Sequence, residues 1–179
     1  MKLLIKLLFT FTFVFITAPL YANNLATINI EYIIEKNIEF QNFLSNLNEE
    51  QKLMNDIFKK KNLQLENEKK EIEDLQLILN TQEINIKNNL FIKKVEEFNV
   101  EIKKFDYYIN KNIEINQNII INKIIKISSD ISNSQKIDIV FDETNFFISS
   151  DKINISKLVI EQLTLENETY LITPKEDLF

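Results

Sequence analysis

The sequence predicts an α+β chain: a long antiparallel helical-hairpin (coiled-coil) arm inserted in a small β-sheet base. Three observations carry this. Apolar residues recur at steps of three, four and seven from Phe40 to Ile131. Short stretches that alternate like strands lie at the two ends of that region, within 24–34 and 134–151. The 179 residues contain no Gly and only two Pro, which disfavours a loop-rich fold.

Residues 1–22 have the parts of a secretory signal. Lys2 and Lys6 form a positive start, and Leu7 to Ile16 form an apolar run too short to span a bilayer comfortably. Ala18-Pro19-Leu20-Tyr21-Ala22 supplies a helix breaker and a small residue, so cleavage is expected after Ala22. An uncleaved membrane anchor is the other reading. Nothing later in the chain is an apolar run of membrane length.

Composition excludes several kinds of chemistry. Cys and His are both absent, which removes disulfides, thiol nucleophiles, imidazole bases and the usual zinc ligands. No cofactor, metal site or catalytic residue is expected. Without Gly there is no phosphate-cradling loop. Loss of residues 1–22 removes two Lys and no acid, taking the formal charge from −6 to −8. An acidic chain whose basic residues are all Lys is a poor partner for nucleic acid. The heavy use of Asn, Ile, Lys and Phe fits an AT-rich genome, so a single Asn or Lys carries little weight.

The base is expected from 23–36 and 132–163. Ala26, Ile28 and Ile30 alternate with Thr27, Asn29 and Glu31 as a first strand. Ser134 to Asp151 reads as a β-hairpin, with Ile137, Ile139 and Phe141 on one face and a turn at Asp142-Glu143-Thr144-Asn145. Phe146, Phe147 and Ile148 resume the apolar run as its second strand. Asn154 is a fair N-cap for a short helix to Leu163. Thr164 to Phe179 ends acidic and is expected to be loosely held.

The arm is expected over 37–131. One stripe runs through Phe40, Leu44, Leu47, Met54, Phe58, Leu65, Ile72, Leu75 and Leu79. A second runs from Phe91 through Phe98, Phe105 and Asn116 to Ile131, in a three-four repeat that suits coiled-coil packing. Two helices of similar length joined near 80–88 would each reach roughly 60 Å. A single unbroken helix is the rival, since no Gly or Pro marks the junction. An out-and-back arm returns the chain to its start. The strand near Ile28 then pairs with strands near Ile139 and Phe147. Three short strands are too few to stand alone, so Ile28, Ile30, Ile137, Ile139, Phe141 and Phe147 are expected to form an oligomerising base.

IDIVFD at 137–142, SSD at 149–151, NISKLVIEQL at 154–163 and ATINIEYII at 26–34 resemble the Skp/OmpH family of periplasmic chaperones across the mature chain. The resemblance implies a homotrimer whose strands form a small barrel-like base and whose arms enclose a cavity. It implies an ATP-independent holdase that keeps unfolded outer-membrane proteins soluble in the periplasm, with transient membrane contact. The mature charge departs from the basic character of well-known members, which favours apolar grip over charge attraction. A structural coiled-coil scaffold of the cell envelope is the alternative function.

A holdase needs exposed apolar surface. The stretch 77–92 has one Glu and one Lys among sixteen residues, and Leu77, Ile78, Ile84, Ile86, Leu90 and Phe91 cannot all face one partner helix. They are candidates for client contact, or else they staple the hairpin shut. Phe43, Tyr107 and Tyr108 lie beside the stripes and either line the cavity or widen the core. Asn116 on the stripe sets register or reflects genome bias. The runs Lys59-Lys60-Lys61 and Lys93-Lys94 read as solvated faces. Asp138, Asp142 and Glu143 are more simply turn and sheet-edge residues than a catalytic carboxylate pair.

Overall fold

The computed structural model describes residues 24–178, so the expected signal segment lies outside the described residues. Strand β1 (Leu25–Ile28) leads into helix α1 (Ile30–Lys36), then α2 (Ile38–Leu75) and α3 (Thr81–Gln135). Strand β2 (Ile139–Asp142) and helix α4 (Ser156–Glu166) follow. Ile30, expected in the first strand, is instead the first residue of α1, because Asn29 caps that helix by accepting from the Tyr32 N–H at 2.8 Å. Asn37 breaks α1 from α2 and caps the second helix through the Phe40 N–H, at 2.8 Å.

The arm is an antiparallel hairpin, which removes the single-helix alternative. Its junction falls earlier than 80–88. Leu75 ends α2, and Asn80 opens α3 with a capping box: its side chain accepts from Glu83 N–H at 3.0 Å, and Glu83 accepts from Asn80 N–H at 3.3 Å. The two helices differ in length, 38 residues against 55, because α3 alone runs back past Asn37 to the sheet. At about 1.5 Å per residue, α2 spans roughly 57 Å. Burial falls off along the arm. Near the base, Phe40 and Leu47 of α2 and Ile120 and Ile124 of α3 are buried with Ile33, Val159 and Leu163. Midway, Phe58 stands edge-on to Phe98 at 5.8 Å and Phe105 at 5.7 Å. Beyond it the stripe is mostly half-buried, and Lys61–Glu101 and Lys94–Glu68, both at 2.6 Å, bridge the helices.

The sheet corrects the expected β-hairpin. β1 pairs with β2 in parallel, with Leu25 opposite Ile139 and Ile28 opposite Asp142. A parallel pair needs a long crossover, and the whole arm is that crossover. Phe146–Ile148 is not a strand. Asp142 accepts from Thr144 N–H at 3.0 Å and starts a tight 3₁₀ turn. The Glu143 carboxylate then accepts from Ser149 and from Asn154, each at 2.9 Å, so 144–148 bulges outward. Asn154 takes the expected third position by bridging Thr27, with Ile155 N–H donating to Thr27 O at 2.9 Å. Asn154 also accepts from Ser156 N–H at 2.8 Å, while Ile155 occupies the cap position of α4. Ser156 in turn accepts from Asn29 N–H at 2.8 Å and ties α4 to the end of β1.

The tail is not loosely held. It lies against the lower arm, where Tyr170 is buried and stacks edge-on against Phe40 at 5.1 Å. Its polar and apolar contacts outweigh the acidic character that suggested a free end.

Candidate functional site

The outer arm presents apolar side chains on a backbone whose bonds are made. Ile78 and Leu79 N–H groups donate to Leu75 O at 3.0 and 2.9 Å, so the turn between α2 and α3 is closed. Leu77 is nevertheless 92% exposed and Ile78 78% exposed. Ile84 and Phe91 are half-buried against the partner helix, and Ile86 and Leu90, four apart on α3, are exposed. Leu53, Ile57, Leu63, Ile92 and Val100 add exposed apolar surface along the shaft. The tip candidates thus divide: Ile84 and Phe91 close the hairpin, whereas Leu77, Ile78, Ile86 and Leu90 face out.

The aromatic candidates divide too. Phe43 and Tyr108 are buried in the chain's core, the setting that core widening describes. Phe43 packs 5.7 Å from Phe40, and Tyr108 packs 5.9 Å from Phe105. The Tyr108 hydroxyl donates to Glu50 at 2.7 Å, and burial and that carboxylate hold it protonated well above the usual phenol range. Tyr107 is half exposed.

At the base, Ile28 is buried within the chain, while Ile30 and Ile137 are half-buried against the core. The face of β2 turned inward carries Val140. Ile139 and Phe141 face outward, and Phe147 is 100% exposed. Phe146 stands edge-on to Phe141 at 5.3 Å and extends the apolar surface. Among the described residues β2 has no second strand neighbour.

Sequence reasoning missed a site along α3. Asn112 is 0% exposed; it accepts from Thr173 N–H at 2.6 Å and donates to Thr173 O at 3.3 Å. Asn116 donates to Leu171 O at 3.1 Å. Lys175 lies over the Tyr108 ring at 4.8 Å and the Phe105 ring at 5.0 Å, and pairs with Glu50 at 3.2 Å. Lys123 pairs with Glu166, and with Glu168 at 2.8 Å; these bonds raise its pKa and lower that of Glu166. The available signal was two carboxamides four apart in an isoleucine-rich helix, which require buried partners.

Among the described residues no cluster of Asp and Glu is suited to hold a metal ion, and no helix is long and apolar enough to cross a membrane.

This architecture, a helical-hairpin arm rising from a two-strand base, is that of the outer membrane protein (OmpH-like) family, whose model matches residues 24–163. The chain belongs to that family. Its fold is similar to a crystal structure from Caulobacter crescentus described as a candidate outer membrane chaperone (OmpH-like). The TM-score is 0.71 at 9% identity, over 83% of this chain and 88% of that one. At that identity the likeness is one of fold. No relative among curated proteins matches the chain.

Proposed function

We propose that this chain is an ATP-independent periplasmic holdase for unfolded outer-membrane proteins, acting by binding alone. The supporting observation is the outer arm, where Leu77, Ile78, Ile86 and Leu90 are exposed on hydrogen-bonded backbone. Apolar contact is non-directional and accepts many sequences, as a holdase requires. Family membership and the likeness to a structure described as a chaperone agree with this reading. In it, the signal is cleaved near Ala22, the outward faces of Ile139, Phe141 and Phe147 and the open edge of β2 join three copies, and the arms enclose the client. Membrane contact is transient.

The test uses mature protein from Asn23, mixed with a urea-unfolded outer-membrane β-barrel protein by dilution. Light scattering after size exclusion then gives the mass of the soluble species. Three chains plus client is the expected mass, and the double variant Leu77→Ser, Ile78→Ser is expected to hold less client at unchanged trimer mass. A trimer that leaves the client to aggregate overturns the holdase reading and puts the envelope scaffold ahead.

A further inference from the structure

The tail contacts follow a repeat. Asn112 meets Thr173, Asn116 meets Leu171, and Tyr108 meets Lys175. Two tail residues pass for every four helix residues, with the chains antiparallel. Four residues of helix rise about 6 Å, and two residues of extended chain cover about 6.6 Å. The carboxamide ladder on α3 is therefore commensurate with any extended polypeptide. Its bonds go to backbone groups, which every residue except Pro presents in full. Asn112 engages both the N–H and the C=O of one residue, as a neighbouring strand would.

Side-chain contacts of the occupant fall at three positions, Glu168, Tyr170 and Lys175. Leu171 is exposed, and Tyr170 fills the aromatic pocket beside Phe40. Even that fit is imperfect: among the described residues the buried Tyr170 hydroxyl has no hydrogen-bond partner. A Phe there would leave no orphan group. The groove lies on α2 and α3 within the matched 24–163, while its occupant, 168–175, lies outside that span. An empty groove would open both carboxamides to water, so vacancy strands no buried polar group.

We propose that this Asn112–Asn116 groove is a second polypeptide-binding site, that the chain's own tail is its resting occupant, and that an extended segment of an unfolded client displaces the tail. The inference rests on the holdase reading and deepens it. The favoured ligand has an acidic residue ahead of an aromatic, to meet Lys123, and a Lys or Arg beyond it, to lie over Tyr108 and pair with Glu50.

The chain has no Cys, so full-length protein with Glu49→Cys and Asp177→Cys, both exposed positions, takes two spin labels cleanly. Their separation is measured alone, with the urea-diluted β-barrel protein, and with a synthetic peptide of residues 167–179 carrying Phe at position 170. The peptide is used at millimolar concentration, since a tethered tail competes at an effective concentration of about that order. Both additions are expected to replace the short distance by a long, broad one. Tyr170→Phe in the chain, which seats the tail better, is expected to weaken client binding roughly tenfold. A soluble client complex with the short distance retained overturns this inference and leaves the holdase reading standing. So does a peptide that fails to move the tail. Failure to hold client at all overturns the holdase reading, and with it the use of this groove by a client.

Discussion

Replacing Asn112 with Ala tests how the tail is held. Asn112 is fully buried, and two of its hydrogen bonds, at 2.6 and 3.3 Å, go to Thr173. Each such bond contributes about 1 kcal/mol net, and leaving its partner buried and unpaired costs about 1–3 kcal/mol. The tail can escape the larger penalty by lifting into water, so the loss saturates at the free energy of docking. An effect of about 2–3 kcal/mol follows, which is roughly a 30- to 140-fold drop at about 1.4 kcal/mol per tenfold. Native-state hydrogen exchange at the Thr173 amide reads this directly, because local opening is reported residue by residue. Asn112→Asp keeps the acceptor for the Thr173 N–H but sets a buried carboxylate against the Thr173 and Tyr108 carbonyls, so it should give a drop at least as large. Unchanged protection at Thr173 would refute the assignment of tail binding to Asn112. An equal loss at Ile33 and Val159 would show instead that the tail opens only with the whole fold.

Lys136 closes α3 in the left-handed region, at φ 57° and ψ 41°, where a side chain costs about 1–2 kcal/mol. Lys136→Gly should raise the urea midpoint by a gain of about 1 kcal/mol at unchanged slope, and a fall would show that the position is not strained. Ser156→Ala removes the acceptor for the Asn29 N–H at 2.8 Å and should destabilise the base by about 1–2 kcal/mol in the same assay; no change would show that water replaces that bond. Burial pushes the Tyr170 hydroxyl up to about 12, whereas a released tail titrates near its ordinary value of 10.0. Docking is therefore intact below about pH 10 and lost as pH rises through about 12. In acid α4 loses its ion pair with Lys123 as pH falls through the lowered pKa of Glu166. Ultraviolet titration should show Tyr108 and Tyr170 ionising late, and both titrating near pH 10 would refute the burial argument.

The arm was legible because its signal is local. A helix places residues three and four apart on one face whatever the rest of the chain does, so Phe40, Leu47 and Phe58 declare a buried stripe. The same locality made the exposed tip readable, since 77–92 carries more apolar side chains than one partner helix can cover. The division among them was not readable. Ile84 and Ile86 are alike in sequence, and only the crossing of α2 and α3 half-buries one and exposes the other. Tyr107 and Tyr108 are adjacent and were read alike, yet one is half exposed and the other buried against Phe105 and Glu50.

The base and the tail show why the remainder was hidden. The expected hairpin rested on an alternating pattern, which gives strand character and says nothing of the partner. Pairing is a contact between distant segments, and in this chain Leu25 meets Ile139 across the whole arm. Glu143 diverts 144–148 by binding Ser149 and Asn154, a choice set by where the returning backbone lies. The tail had no periodicity to read, because its order comes from bonds to Asn112 and Asn116 rather than from its own pattern. By itself the sequence determined the helical arm, its apolar stripe and the return of the chain to its start, since these follow from spacing along one segment. Only the tertiary structure decided the parallel register of the sheet, the outward face of β2 and the seat of the tail, since each depends on groups brought together from far apart in the chain.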